Sequence, residues 1–197
     1  MQKEESIFKM TKKHHTETFL QAKKDGKMDL DFVPLCDYIA STKNYFTSSC
    51  CAGRIVLVSL NEDESKKESA FYRKWHRTVT PDEVEAGIIA FDGELLWFKQ
   101  ESFILHIGAN TLSNATKILS AMESVGIKRA GIKVAKAGKY IVEAIGTQNM
   151  TLPVKEKGDT KINREYLEYL VKMANKKFKK NQETIKAFEI EARKVLK

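Results

Sequence analysis

Tyr45-Phe46-Thr47-Ser48-Ser49-Cys50-Cys51-Ala52-Gly53-Arg54-Ile55 packs hydroxyls, thiols, a glycine and an arginine between apolar neighbours more densely than any other stretch of this chain. Tyr45, Phe46 and Thr47 suit an extended backbone, and Ile55-Val56-Leu57-Val58 resumes one at once. The small residues between them are therefore expected to form a turn that joins two strands and exposes backbone N–H groups. Gly53 would let a ligand come close to the main chain, and Arg54 offers a planar, permanently charged fork for a carboxylate or phosphate. The same residues also describe an ordinary tight hairpin, and the stretch alone does not separate the two.

On either side of it, helices are expected. Glu4 to Lys24 sets Ile7, Phe8, Phe19, Leu20 and Ala22 among charges and stops at Asp25-Gly26, the pattern of an amphipathic helix. Pro34 opens a second helix that runs to about Ala40. Beyond Leu60, the charged run Asn61 to Glu68 reads as a loop and Phe71 to His76 as a strand. Thr80-Pro81-Asp82-Glu83 is a helix start, with a capping hydroxyl, proline at the first helical position and a glutamate three residues after the threonine. Leu95 to Lys99 and Phe103 to Gly108 are short apolar strands, and Thr111 to Val125 is an amphipathic helix closed by Gly126. Ala130 to Lys136 and Tyr140 to Gly146 alternate and are joined by Ala137-Gly138-Lys139 as a hairpin, with Pro153 marking the exit from the sheet.

From Arg164 the residues Leu167, Leu170, Val171, Ala174, Phe178, Ile185, Phe188, Ala192 and Val195 make one stripe, while Lys172, Lys176, Lys179, Lys180 and Lys194 fall opposite. The expectation is α+β: a single domain over residues 1–197, a mixed or antiparallel sheet flanked by helices, and a long basic C-terminal helix over about 164–197. A Rossmann fold is not expected, because neither G-x-G-x-x-G nor a P-loop motif occurs.

Composition narrows the function classes. Of the net charge of +8, six units fall between Lys155 and Lys197, where 13 basic residues face 7 acidic ones. Such a surface attracts polyanions, with nucleic acid first among them, although a solvated lysine-rich helix reads the same way. No apolar run approaches the roughly 20 residues of a membrane helix and no signal peptide opens the chain, so no membrane partner and a cytoplasmic location are expected. The three cysteines, Cys36, Cys50 and Cys51, have no metal-ligand spacing, so reduced thiols and no metal are expected. His76 ends one apolar strand and His106 sits inside Phe103-Ile104-Leu105-His106-Ile107, where an imidazole needs a partner. Each is a candidate base or a satisfied core histidine.

The small-residue motif with Arg54, then His76, then Glu101-Ser102-Phe103-Ile104-Leu105-His106, then Ala130-Gly131-Ile132 with Lys136 and Gly138, then Ala174-Asn175 and Asn181, resemble in order and spacing the wybutosine-synthesising tRNA methyltransferases, the third-step enzymes of that pathway. The resemblance runs from about Phe8 to Phe188. The chain departs from the family pattern at Ser48 and Cys50, where threonine and serine are usual, at Ser102 (proline), at Ala130 (serine) and at Asn110 (arginine).

What the resemblance implies is methyl transfer from S-adenosylmethionine to N(4) of the demethylwyosine-type base at position 37 of tRNA(Phe). On that reading Ser49, Cys51, Gly53, Arg54 and Glu101 bind the cofactor, with Arg54 as anion clamp and Glu101 near the cationic sulfur or the amino group. His106 and His76 line the base pocket, and either could take the proton that leaves the nitrogen. The basic C-terminal helix would hold the anticodon stem-loop, and the base would stack on Tyr45, Phe46 or Trp97. The alternative is a non-catalytic RNA-binding accessory module.

Overall fold

The computed structural model describes residues 2–61 and 70–197. Apart from Asn61, the loop expected up to Glu68 lies outside the described residues. In chain order the elements are α1 (Gln2–Lys24), a 3-10 turn (Leu30–Phe32), α2 (Val33–Ser41), β1 (Tyr45–Cys51), β2 (Arg54–Leu60), β3 (Ala70–Trp75), α3 (Pro81–Ile89), β4 (Leu95–Glu101), β5 (Ile104–Ala109), α4 (Leu112–Ser124), β6 (Ala130–Lys136), β7 (Lys139–Ile145), β8 (Met150–Glu156), β9 (Asp159–Thr160) and α5 (Arg164–Val195). The class is the expected α+β, with antiparallel pairing throughout and a long C-terminal helix. The strands divide into two sheets, ordered β1-β5-β7-β6 and β3-β2-β4-β8-β9.

Two compact units result. The first holds Met1–Ala52, Phe103–Thr147 and Gln182–Lys197; the second holds Gly53–Ser102 and Gln148–Asn181. The small-residue motif is therefore mostly strand. Tyr45 to Cys51 pair with β5, and the turn is reduced to Ala52-Gly53, after which β2 enters the other sheet. A hairpin is ruled out, since β1 and β2 do not pair.

In the first unit, Tyr45, Leu105, Ile107, Ala109, Val142 and Ala144 form a core with Leu35 and Ile39 of α2, Ala115, Ile118 and Met122 of α4, and Ile185 and Phe188 of α5. Residues two apart on a strand share a face, so Phe46, Gly108 and Ile141 look the other way. There Phe8 of α1 packs on Phe46 and Ile141. Lys12 of α1 also covers the open edge of β1, donating to the carbonyls of Ala40 and Tyr45, and burial pushes its ammonium below the usual lysine range.

In the second unit Ile55, Leu57, Leu96, Phe98 and Val154 meet Val84 and Ile88 of α3 and Leu167, Val171 and Ala174 of α5. The start of α3 is as expected. Thr80 Oγ1 accepts from the Glu83 N–H, and the Glu83 carboxylate accepts from the Thr80 N–H at 2.8 Å. Three expectations need correction. Pro153 lies inside β8, opposite Trp97, beside a register shift that relieves the ladder of the N–H that proline lacks. Val195 is 40% exposed; the chain leaves the helix there, and Leu196 is buried instead. Lys155, counted above with the basic tail, is buried and donates to the carbonyls of Ile88, Ile89 and Phe91, which close the C-terminal end of α3.

Candidate functional site

One polar row crosses the four-stranded sheet of the first unit. Ser49 on β1 stands opposite His106 on β5, which stands opposite Glu143 on β7. The side chains connect: Ser49 Oγ to His106 Nδ1 at 2.6 Å, His106 Nε2 to Glu143 Oε2 at 2.8 Å, and Lys133 Nζ on β6 to Glu143 Oε1 at 3.2 Å. Irregularities set both ends. Strict alternation would put Ser49 on the face of Tyr45 and Thr47, but the pairing slips between Thr47 and Ser49, so Ser48 is extra and Ser49 joins the face of Phe46 and His106. A second slip between Ile132 and Val134 places Lys133.

The electrostatics follow the contacts. The hydrogen bond from His106, with that from Lys133, holds the Glu143 carboxyl below the usual carboxylate range, so it is a carboxylate at neutral pH. Ser49 is exposed, whereas the side chains of His106 and Glu143 are only 18% and 21% accessible, so the row opens to solvent at its serine end and, through Lys133, at the other. His15 of α1 stacks on Phe46 at 4.9 Å on this same face, and burial lowers its pKa.

The cysteines of the motif are partly packed. Cys36 Sγ and Cys50 Sγ are 3.8 Å apart; the contact with Cys50 lowers the Cys36 thiol, and the Cys50 thiol is pushed up. Cys51 ends β1 half-buried opposite Ile104, and the next N–H, that of Ala52, donates to Asp29 at 2.6 Å.

The rest of the motif belongs to the second unit. Gly53 adopts φ 98°, and a Cβ there would stand 2.7 Å from the Glu101 carbonyl and 3.2 Å from Asn181 Nδ2, so only glycine fits. Arg54 Nε donates to Glu101 Oε2 at 2.5 Å, and the guanidinium lies 4.3 Å over the ring of Phe71. Beside them are two buried amides. Gln100 Nε2 donates to the Glu101 carbonyl at 2.8 Å and Asn181 Nδ2 to the Gln148 carbonyl at 3.3 Å, while Gln100 Oε1 and Asn181 Oδ1 have no partner among the described residues. A buried amide oxygen without a donor costs about 1–3 kcal/mol. A glycine cradle, a guanidinium–carboxylate pair and orphaned amide oxygens suit a zwitterionic ligand carrying amino, carboxylate and hydroxyl groups.

Of the residues singled out in the sequence, the structure joins Ser49 with His106, and Gly53 and Arg54 with Glu101. His76 follows β3 as an exposed residue and takes no part in the row. Tyr45 and Phe46 are 1% and 0% exposed and cannot receive a base: the Tyr45 hydroxyl donates to Asn114, and the Phe46 ring covers Gly108. Among the described residues the exposed large aromatics are Phe71 and the stacked pair Tyr166 and Tyr169 on α5, while Trp97 is half-buried. Sequence reasoning missed Glu143, whose one signal was a carboxylate midway along the apolar run Tyr140-Ile141-Val142-Glu143-Ala144-Ile145. Asn110 bonds Asn44 and Asn114 at the end of β5. Among the described residues no helix is long and apolar enough to cross a membrane.

A family model described as Methyltransferase TYW3 matches residues 2–194. A Thermococcus sibiricus protein named tRNA(Phe) 7-((3-amino-3-carboxypropyl)-4-demethylwyosine(37)-N(4))-methyltransferase is 35% identical over 193 residues, covering 98% of each chain. An Archaeoglobus fulgidus protein of the same name is 32% identical, covering 91% of this chain and 90% of its own. A solved structure from Pyrococcus horikoshii superposes with a TM-score of 0.88 at 34% identity, covering 94% of this chain and 95% of that one.

Proposed function

Since this chain belongs to the TYW3 methyltransferase family, we propose that it methylates N(4) of the demethylwyosine-type base at position 37 of tRNA(Phe), using S-adenosylmethionine. The observation that carries the reading is the row in which His106 holds a carboxylate on one ring nitrogen and a solvent-facing hydroxyl on the other. That arrangement makes a neutral imidazole a proton acceptor at a defined nitrogen.

When bound, S-adenosylmethionine supplies an electrophilic methyl group on a sulfonium. What remains for the protein is placement of the acceptor nitrogen and removal of its proton. Gly53 gives the donor close access to the main chain, Arg54 pairs with its carboxylate, Glu101 with its amino group, and Asn181 Oδ1 accepts from a donor hydroxyl or amine. Ser49 and Cys51 are the part of the same run that belongs to the first unit. His106 is the base. Cys51 is not a nucleophile, since methyl transfer to nitrogen needs no covalent intermediate. The exposed Lys172, Lys176, Lys179 and Lys180 of α5 hold phosphates of the anticodon stem-loop. Such a substrate puts the protein in the cytoplasm.

The test is mass spectrometry of nucleoside 37 after incubation of tRNA(Phe), taken from a strain lacking the protein, with the protein and S-adenosylmethionine. A gain of one methyl group is expected. Calorimetry should show a donor site that Arg54→Ala weakens. RNA binding with neither methyl gain nor donor heat would replace this reading with an RNA-binding accessory module.

A further inference from the structure

Glu143 and Ser49 flank the His106 ring, and for the neutral ring their chemistry leaves one consistent assignment of protons. An ionised carboxylate only accepts, so His106 Nε2, 2.8 Å from Glu143 Oε2, must carry a hydrogen. In the neutral ring the lone pair is then on Nδ1, and the group 2.6 Å from it, the Ser49 hydroxyl, must donate. With its hydrogen turned inward, Ser49 Oγ presents its lone pairs to solvent, at one of the two exposed ends of the row.

We propose that Ser49 relays the proton of the substrate nitrogen to His106, and that Glu143 is the positioning residue that makes this possible by fixing the ring in its Nε2–H form. This rests on the methyltransferase reading above. As the ring nitrogen of the substrate gains a methyl group, its N–H bond breaks and the proton goes to Ser49 Oγ. The Ser49 hydrogen passes at the same time to His106 Nδ1. The ring becomes an imidazolium, its charge balanced by the Glu143 carboxylate, and Ser49 is again a neutral hydroxyl.

Lys133 keeps Glu143 from serving as the acceptor itself. Its ammonium on Oε1 stabilises the carboxylate, so the proton stays on the imidazole. His15 of α1, which lies on the Phe46 ring with His14 and Lys139 of β7 close to it, also faces the row. Its lowered pKa leaves it neutral at pH 7. The proton path therefore runs from Ser49 to His106, with Glu143 on the far ring nitrogen and Lys133 behind it.

The test has two independent arms. Long-range nitrogen–hydrogen NMR on histidine-labelled wild-type protein at alkaline pH should show His106 as the Nε2–H tautomer; the Nδ1–H tautomer would overturn the proposal without any assay of activity. In single-turnover methylation, Glu143→Gln should lower the rate by about 10²-fold with KM for tRNA unchanged, and should move the acid limb of the pH–rate profile to lower pH because the imidazolium has lost its counter-charge. Ser49→Ala should slow methylation by more than any accompanying loss of calorimetric affinity for the donor accounts for. Wild-type rates and an unmoved limb in Glu143→Gln would sink the relay. Absence of methylation by the wild-type protein would sink the functional reading instead, and the tautomer measurement would still decide the hydrogen-bond assignment.

Discussion

Ser49 reaches His106, 2.6 Å from oxygen to nitrogen, because one extra residue, Ser48, is accommodated in β1 just before it. Strand alternation alone would turn Ser49 toward the core side of the sheet. A local irregularity next to a reactive group is a recurrent use of β-bulges, which re-aim a side chain without moving the strand. The same stretch of chain then places Gly53, and that residue gives the first prediction.

Gly53→Ala forces a left-handed backbone on a residue with a Cβ and drives that carbon to 2.7 Å from the Glu101 carbonyl. Strain of this kind costs about 1–3 kcal/mol, and β2 and β4 must part at Arg54 and Glu101, which are directly paired. Urea unfolding should show the loss of stability, and calorimetry a weaker site for the methyl donor. A variant as stable as the wild type would refute the role of the tight contact at Gly53.

Lys155→Met removes the ammonium that serves three carbonyls at the end of α3. Charge-assisted hydrogen bonds are worth about 1.5–3 kcal/mol each, and buried carbonyls left without donors add to the loss. The expected outcome is destabilisation of at least about 2 kcal/mol, read from the urea midpoint, with RNA affinity of the folded protein unchanged. Weaker RNA binding at full stability would return Lys155 to the basic surface.

Glu83 carries the acid sensitivity of α3. Its pKa is lowered to about 2, first by Arg77 and then by the Thr80 N–H, against about 4.3 for an unperturbed glutamate. A group depressed in the folded state contributes stability that is complete above the unfolded value and lost as pH falls toward the folded one. Between about pH 4.3 and pH 2 the wild type should therefore lose stability faster than Glu83→Gln. Parallel thermal-melting curves for the two proteins across that window would refute this.

Tyr166 and Tyr169 stack on each other while 45% and 56% exposed, on the helix that also carries Lys172, Lys176, Lys179 and Lys180. Aromatic stacking on a nucleobase is worth about 1–3 kcal/mol. Replacing both tyrosines by alanine should weaken tRNA binding by about tenfold or more without changing its salt dependence. Replacing the four lysines by glutamine should flatten that dependence, since each phosphate contact contributes a slope of about −0.9. Wild-type affinity in the tyrosine variant would confine recognition on α5 to phosphates.

What could be read along the chain was whatever short-range chemistry decides. Thr80-Pro81-Asp82-Glu83 announced α3 because cap, proline and glutamate act within one helical turn. The stripe of α5 announced its buried face from Leu167 to Ala192, and Leu196 replaced Val195 only where the helix had ended. Pro153 misled because a proline reads as a stop unless a register slip opposite it is known, and that slip belongs to the pairing of β8 with β4.

By itself the sequence determined the α+β class, most of the elements, the family likeness and the importance of the run from Tyr45 to Ile55, all of which rest on periodicity, capping and motif spacing. Tertiary structure alone decided that this run is a strand edge feeding a different sheet, that Tyr45 and Phe46 are core, and that Ser49, His106, Glu143 and Lys133 form one row. The physical reason is strand register. Residues 49, 106, 133 and 143 meet only when four strands pair with particular offsets and two slips. Those offsets are set by burial of the opposite face of the sheet, not by the residues that the pairing brings together.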